Sequence, residues 1–391
     1  MKLDNSFSLE GITHCYTRPS EEQAYRLLCD LEQAENYGFL TFAFRDVMRS
    51  ERIPWNPLEH IVDSCIQVST LGEKFLFSCQ GKKPLVSGSG VHEDRIFGSV
   101  HACSEALERL AARFEGQAEL RPSPHAAWSV KRRAWIDVRE LDSEPFQVLS
   151  AHRSGEAFHV IPGEATRAAL CELIEKDFIY KLLAKKEDVC VKKITKQASL
   201  LSKNALNAIH GLKKVGHQVE FFHGLTFEGI HVVIALSRNH SASVFRNGFK
   251  GSGADFSLPH ALDQAVSELG RAHFMGKPSA FQSPDEALKA ISNGELTQAS
   301  LDITLLLFPE NRQFFSHLFD IDDGECINKQ VDTKLVLKSI TDQVDDIFII
   351  PLASRLYGIN GIVTKILIPG YSNIPQISTL LDLENYKISP S

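Results

Sequence analysis

Residues 88–114, GSGVHEDRIFGSVHACSEALERLAARF, constrain this chain more than any other stretch. The segment opens on Gly88-Ser89-Gly90 and closes in a helical pattern that sets Glu105 and Glu108 on one face, because residues three apart on a helix are neighbours. The design returns downstream. Gly251-Ser252-Gly253 leads into a second helical pattern bearing Glu268, and fifteen residues separate Gly90 from Glu105 and Gly253 from Glu268 alike. A looser middle copy has Gly155 ahead of GEATRAALCELIEKDF, where Glu172 and Glu175 repeat the pair. One such helix alone would be an amphipathic surface element with solvated acids. Three copies with glycine lead-ins and a doubled ExxE point to a shared site.

Clustered carboxylates have three common uses. Two can act as acid and base in glycoside cleavage, which depends on their separation. They can ligate a transition metal, usually with histidine partners. They can hold Mg²⁺ ions that bridge nucleotide phosphates, since hard cations take oxygen ligands. The third use fits best, because the paired acids have no ExxH partner within their helices. The Gly-Ser-Gly segments would let backbone N–H groups approach phosphate. No GxxxxGK[ST] occurs, so this is not a P-loop. His101, one turn before Glu105, reads as a packing or hydrogen-bonded histidine rather than a ligand. Ser104 and Ser267 lack a GxSxG elbow, and Asp320, Asp322 and Asp323 lack the spacing of a calcium loop.

The bulk properties exclude other classes. A length of 391 residues allows one large or two medium domains. A net charge of −7 argues against general binding to nucleic acid or to an anionic membrane. The eight cysteines form no CxxC, which removes a structural zinc site. MKLDNSFSLEG has no apolar signal core, and no run approaches the roughly 20 apolar residues of a membrane span. A reduced, cytoplasmic protein is expected.

Along the chain, Ser20-Glu21-Glu22-Gln23 is a capping box opening a helix to about residue 36. Residues 39–45 read as a strand, 57–70 as a helix, and 74–78 with 84–87 as a hairpin around Gly81. Strand structure is expected over 128–138, a helix over 163–185, and an amphipathic basic helix over 192–214. Residues 218–222 and 230–237 read as strands, and 245–253 as a connection to the third acidic helix. Ser283-Pro284-Asp285-Glu286 is another capping box. Late strands are expected over 345–352 and 361–368, before a Pro369-Gly370 turn. No Pro/Ser-rich linker divides the chain. The expectation is α+β: long helices layered on mixed or antiparallel sheets, in internally similar units, as one domain over 1–378 with a tail over 379–391.

These residues resemble the YcaO family, ATP-using enzymes that activate peptide backbone amides. Its first motif is similar to A-S-A-x-x-E-x-x-E-R, and here reads His101-Ala102-Cys103-Ser104-Glu105-Ala106-Leu107-Glu108-Arg109 after Val100. The second is similar to E-A-x-x-x-A-L-x-E-x-I-E-R-D. Here it is Glu164-Ala165, then Ala169-Leu170-Cys171-Glu172-Leu173-Ile174-Glu175-Lys176-Asp177. The third, A-x-x-R-A-x-x-E, is matched by residues 261–268, ALDQAVSE. The likeness spans roughly residues 20–375.

The resemblance implies ATP and Mg²⁺ as cofactors. Glu105, Glu108, Glu172 and Glu175 would ligate Mg²⁺ between phosphates, and Glu105, Glu172 and Glu268 would stand closest to the chemistry. Gly88, Gly90, His101, Arg109, Glu164, Lys176 and Gln264 would line the nucleotide. In the family's reaction a nucleophile adds to a backbone carbonyl and ATP phosphorylates the resulting oxyanion. A neighbouring Cys, Ser or Thr gives an azoline, and external sulfide a thioamide. The chain departs from the motifs at Lys176 and Gln264, where the family has arginine, and at His101, where it has serine. The usual Asn-Gly of the second lead-in is also missing, with His159-Val160 nearby. The end, Ile388-Ser389-Pro390-Ser391, lacks the PxPxP of many azoline-forming members, and the length leaves no room for a fused leader-peptide-binding domain. The expected partners are a precursor peptide and a separate protein, either a ubiquitin-activating-like leader-peptide-binding subunit or a TfuA-like one. A homodimer is compatible with this reading. A non-catalytic accessory subunit and a metal-dependent hydrolase are the alternatives.

Overall fold

The computed structural model describes residues 7–12, 16–36, 42–45, 52–53, 67–68, 72–73, 75–82, 85–92, 95–113, 122, 126–137, 155–161, 163–183, 191–194, 200–214, 216–226, 229–238, 248–275, 323–324, 332–356 and 359–371. The capping box at 283–286, most of the helix expected over 57–70, Asp320, Asp322 and the tail over 379–391 lie outside the described residues.

Helix α1 (Glu21–Asn36) starts as its capping box requires. The Ser20 N–H donates to Gln23 Oε1 and the Gln23 N–H returns to Ser20 Oγ. Strands β1 (Phe42–Arg45) and β2 (Arg52–Ile53) follow, then a small ribbon of β3 (Gln67–Val68) and β4 (Gly72–Glu73). Gln67 and Val68 are thus strand where a helix was expected. β5 (Phe75–Lys82) and β6 (Leu85–His92) form a hairpin, and the first sheet runs β2-β1-β5-β6. The hairpin does not turn around Gly81, because Gly81 pairs with Val86 inside the ladder.

Helix α2 (Arg95–Arg113) leads to the hairpin of β7 (Ala126–Ser129) and β8 (Ala134–Asp137). β9 (Glu156–His159) precedes α3 (Glu164–Leu183). β10 (Val191–Ile194), α4 (Lys203–Lys214), β11 (Gln218–Leu225), β12 (His231–Arg238), β13 (Gly248–Asp255) and α5 (Leu258–Met275) come next. β14 (Asp323–Gly324), α6 (Thr333–Gln343), β15 (Phe348–Leu356) and β16 (Ile359–Leu367) complete the described elements. The second sheet runs β13-β12-β11-β10-β14 and the third β8-β7-β15-β16-β9. This is the expected α+β architecture.

Two expectations fail locally. Residues 191–194 are a strand rather than the start of the basic helix, paired antiparallel with β11 on one side and parallel with β14 on the other. The connection expected over 245–253 is mostly strand β13, eight residues fully paired with β12. Its glycines weaken it as a strand by propensity, and tertiary packing decides the outcome. A Cβ on Gly251 would stand 2.1 Å from the Ala265 carbonyl oxygen and one on Gly253 would stand 2.6 Å from that of Ala261. These glycines let α5 lie directly on its own strand. α6 had no signal in the sequence analysis, although Asp332 caps it by accepting from the Lys334 N–H.

The second sheet is covered on both faces. Phe222, Val232, Ile234 and Leu236 join α3, the third sheet and the buried N-terminal residues Phe7, Leu9 and Ile12 in one core. Phe221, Val233 and Ala235 face α4 and α5 in the other. That is why residues 232–236 form a continuous apolar run instead of alternating. Among the described residues, no helix is long and apolar enough to cross a membrane.

Candidate functional site

The three Gly-bearing or short strands that precede acidic helices are all edge strands: β6 in the first sheet, β13 in the second, β9 in the third. Each acidic helix packs on its own strand and on a neighbour's. α2 touches β6 and β9, α3 touches β9 and β13, and α5 touches β13 and β6. The strand–helix unit seen three times in the sequence therefore closes into a ring. α3 is buried nearly all round, with Ala165, Ala169, Leu170, Leu173, Ile174 and Phe178 in the core and Glu164, Arg167, Glu175 and Asp177 buried as well. A helix of that kind has no solvated face, so its acids are held inside the fold.

The ring brings the glutamates together. Ser252, the middle residue of the second Gly-Ser-Gly, places its hydroxyl 2.7 Å from Glu175 Oε1 and 2.9 Å from Glu268 Oε2, with one proton to share between the two carboxylates. Its backbone N–H donates to Glu268 as well. Arg271 joins α5 to α2: one guanidinium nitrogen stands 3.4 Å from Glu105 and the other 3.8 Å from Glu268. Glu108 accepts a 2.9 Å bond from the Phe158 N–H of β9. Lys176 lies 3.1 Å from Glu175, and Lys250 3.3 Å from Ser252 Oγ. Just behind, buried Glu156 of β9 pairs with Lys365 of β16 at 2.6 Å.

The electrostatics separate the acids. Burial pushes Glu108 well above the usual carboxylate range; the bond from Phe158 opposes it, while the charges of Glu172, Glu105 and Glu156 add to it. Burial also carries Glu172 up to about 7, against the pull of Lys176 and with a push from Glu175 and Glu156. Glu268 goes the other way. Burial would raise it, but Lys250, Lys176, Arg271 and the Ser252 N–H hold it at about 2. One side of the site thus carries a fixed negative charge ringed by cations. The other carries buried carboxyls whose ionisation awaits a further positive charge.

That donor set fits Mg²⁺ carried on a nucleotide. Among the described residues, no group of three or more acidic, histidine or cysteine side chains is arranged to hold a metal ion unaided. Mg²⁺ is commonly held by one or two carboxylates, with phosphate oxygens and water completing its shell. Glu105, Glu108, Glu172 and Glu175 could each supply such an oxygen, and the surrounding cations could meet the phosphates.

Several expected residues stand apart. Gly88 and Gly90 are paired strand positions, opposite Cys79 and Phe77, rather than part of a phosphate loop. His101 is exposed on α2. The side chain of Arg109 lies outside the described residues. Gln264 lies over Gly253, near enough for its Cβ to stand 2.6 Å from a Cβ placed there. Glu164 begins α3, about 12 Å of helix before Glu172, where it accepts from the Thr17 N–H at 3.2 Å. Close by, Arg167 and Asp255 form a fully buried two-pronged pair, and Tyr16 stacks on His260.

The sequence analysis missed Ser252, Lys250, Arg271, Glu156 and Lys365. Arg271 had a readable signal, since Gln264, Glu268 and Arg271 fall on one face at i, i+4 and i+7. Glu156 and Lys365 had none, because only strand register brings them opposite each other.

Comparisons with known proteins bear on the family and the fold. A family model described as "YcaO cyclodehydratase, ATP- and Mg²⁺-binding" matches residues 133–372, more than half of the chain. Glu105 and Glu108 precede the matched span, and it is the fold that joins them to it. Among solved structures, YcaO from Methanopyrus kandleri bound with AMPPCP and Mg²⁺ is 17% identical over 81% of this chain and 91% of that one, with a TM-score of 0.51. The E. coli microcin synthetase McbBCD complex gives 16% identity over 76% and 85%, with a TM-score of 0.51. A heterocyclase in complex with substrate and cofactor is 13% identical over 78% of this chain and 48% of that one, again with a TM-score of 0.51. At these identities the likeness is one of fold. No curated protein shows a significant sequence match.

Proposed function

Because this chain belongs to the YcaO family, whose cofactors are ATP and Mg²⁺, we propose that it activates a backbone amide of a ribosomally made peptide at the expense of ATP. The product is an azoline when a neighbouring Cys, Ser or Thr closes the ring, or a thioamide when sulfide is the nucleophile. Residues 1–378 act as one nucleotide-binding domain in this reading. A separate leader-peptide-binding or TfuA-like protein delivers the peptide.

The observation that carries the reading is the convergence of α2, α3 and α5, linked through Arg271 and Ser252, on one acidic centre. Bound Mg²⁺-ATP supplies the transferable phosphoryl group and the positive charge that neutralises it. The chain supplies position. Glu105, Glu108, Glu172 and Glu175 fix the metal side. Glu268, locked by Ser252, stays ionised and orients Lys250, Lys176 and Arg271. Those cations stabilise negative charge developing on the phosphoryl oxygens. The buried Glu156–Lys365 pair holds a further acid against a lysine behind Glu108 and Glu172.

A second reading, an accessory subunit that keeps the fold without turnover, draws on the uncharged Gln264. Turnover separates the two: the enzyme hydrolyses ATP when peptide and partner are present, and the accessory subunit does not. The site itself is tested by E172Q/E175Q. The double variant is expected to lose AMPPCP binding in Mg²⁺ by calorimetry, and normal binding would remove the site assignment.

A further inference from the structure

Two arginines near the acidic helices are held in opposite ways. Arg167 is buried, with side-chain exposure of 2%, and grips Asp255 with two nitrogens. Such a guanidinium is fixed for structural reasons. Arg271 keeps 32% exposure, and its contacts with Glu105 and Glu268 are 3.4 and 3.8 Å, longer than a close charge-assisted bond. It is loosely held, open to the site, and shared between carboxylates of two different helices.

We propose that Arg271 is the phosphate-binding cation of this chain, supplying from one turn beyond Glu268 the charge that Gln264 leaves out one turn before it. The inference rests on the function proposed above. Residues 264, 268 and 271 share one face of α5, so moving the cation from 264 to 271 keeps it beside Glu268 and shifts it towards Glu105. Without nucleotide, Arg271 neutralises Glu105 and Glu268. A divalent cation that takes Glu105 removes the nearer of these two contacts while Glu268 keeps the guanidinium beside the site, and the planar fork then matches a phosphate in geometry and charge. Lys176 and Lys250 are less suited to this role. Lys176 is a single-point donor engaged by Glu175, and Lys250 is 8% exposed beneath Ser252.

The test compares AMPPCP with AMP, both in Mg²⁺, by calorimetric titration of wild type and R271Q, with melting curves for each. The affinity ratio of AMPPCP over AMP is expected to fall about tenfold or more in R271Q, because a charge-assisted contact to the outer phosphates is lost. A structural role alone would weaken both nucleotides alike, and an unchanged ratio overturns the proposal. If R271Q shows no cooperative melt, the same ratio is read in R271K, which keeps the charge without the fork. A fall of a few fold is expected there, and no change again overturns the proposal. Absence of AMPPCP binding by the wild-type chain would overturn the proposed function together with this inference. Wild-type binding with an unchanged ratio in the variants would overturn this inference alone.

Discussion

Gly251→Ala tests whether the repeated glycines serve helix packing or phosphate binding. A Cβ at position 251 would lie 2.1 Å from the Ala265 carbonyl oxygen and 2.3 Å from the Leu269 nitrogen, where ordinary contact begins at 3.4 Å. Both obstacles are backbone, so no side chain can turn away. α5 would have to rise from β13 by about 1 Å, and Glu268 sits between the two residues that are struck. Overpacking of this kind costs about 3 kcal/mol, or roughly 4 °C in Tm for a chain of 391 residues. Displacing a positioned group by 1 Å weakens its function by about a hundredfold. Scanning calorimetry reads the first effect, and AMPPCP titration in Mg²⁺ the second. The control is Gly270→Ala on the same helix, where nothing among the described residues lies within 4 Å of the added Cβ. It should gain about 0.5–1 kcal/mol from helix propensity. The reasoning is refuted if G251A melts like wild type, whether or not nucleotide binding changes. A selective loss of binding at unchanged Tm would mean that the glycine faces phosphate, not helix.

Two further outcomes follow from groups behind the site. His223 and His231 are buried on β11 and β12, linked by a 2.9 Å ring-nitrogen contact. Burial lowers each to about 4, with His231 and Lys192 adding to the shift of His223, and Asp255 opposing that of His231. The unfolded chain therefore takes up these protons first, near pH 6.5. The pair's contribution is complete above that value and is lost as pH falls towards 4, at up to about 1.4 kcal/mol per pH unit for each histidine. Urea midpoints at pH 7.5, 6 and 5 should drop, and less steeply in H223Q/H231Q; equal slopes would exclude the pair as the cause. For the buried Glu156–Lys365 pair, K365M strands a carboxylate beside Glu108 and Glu172 and should cost about 3–5 kcal/mol, while E156M/K365M should recover most of it. Additive losses in that double-mutant cycle would show that the two side chains do not interact.

What could be read beforehand follows from the range of the interactions that decide each feature. The capping box at Ser20 and the acid spacing of α2 and α3 are local, so they stand in the sequence as they stand in the fold. The identity of the Gly-Ser-Gly segments is not local. Alone, GFKGSGAD has the composition of a loop, and it becomes a strand because the absence of side chains at Gly251 and Gly253 admits α5. The resulting contact does more than pack. It aims Glu268 back at the amide and hydroxyl of Ser252, and Ser252 reaches on to Glu175 of a different helix. At this second segment the close approach of α5 and the bonds to Glu268 and Glu175 therefore fall on three consecutive residues. The same logic explains why Glu156, Lys365 and Lys250 escaped notice. Each lies on a strand, where register with a distant partner sets its neighbours, and a one-residue slip would send it to the opposite face. Acids on helices declare their company by spacing, whereas charges on strands acquire theirs when the sheets assemble.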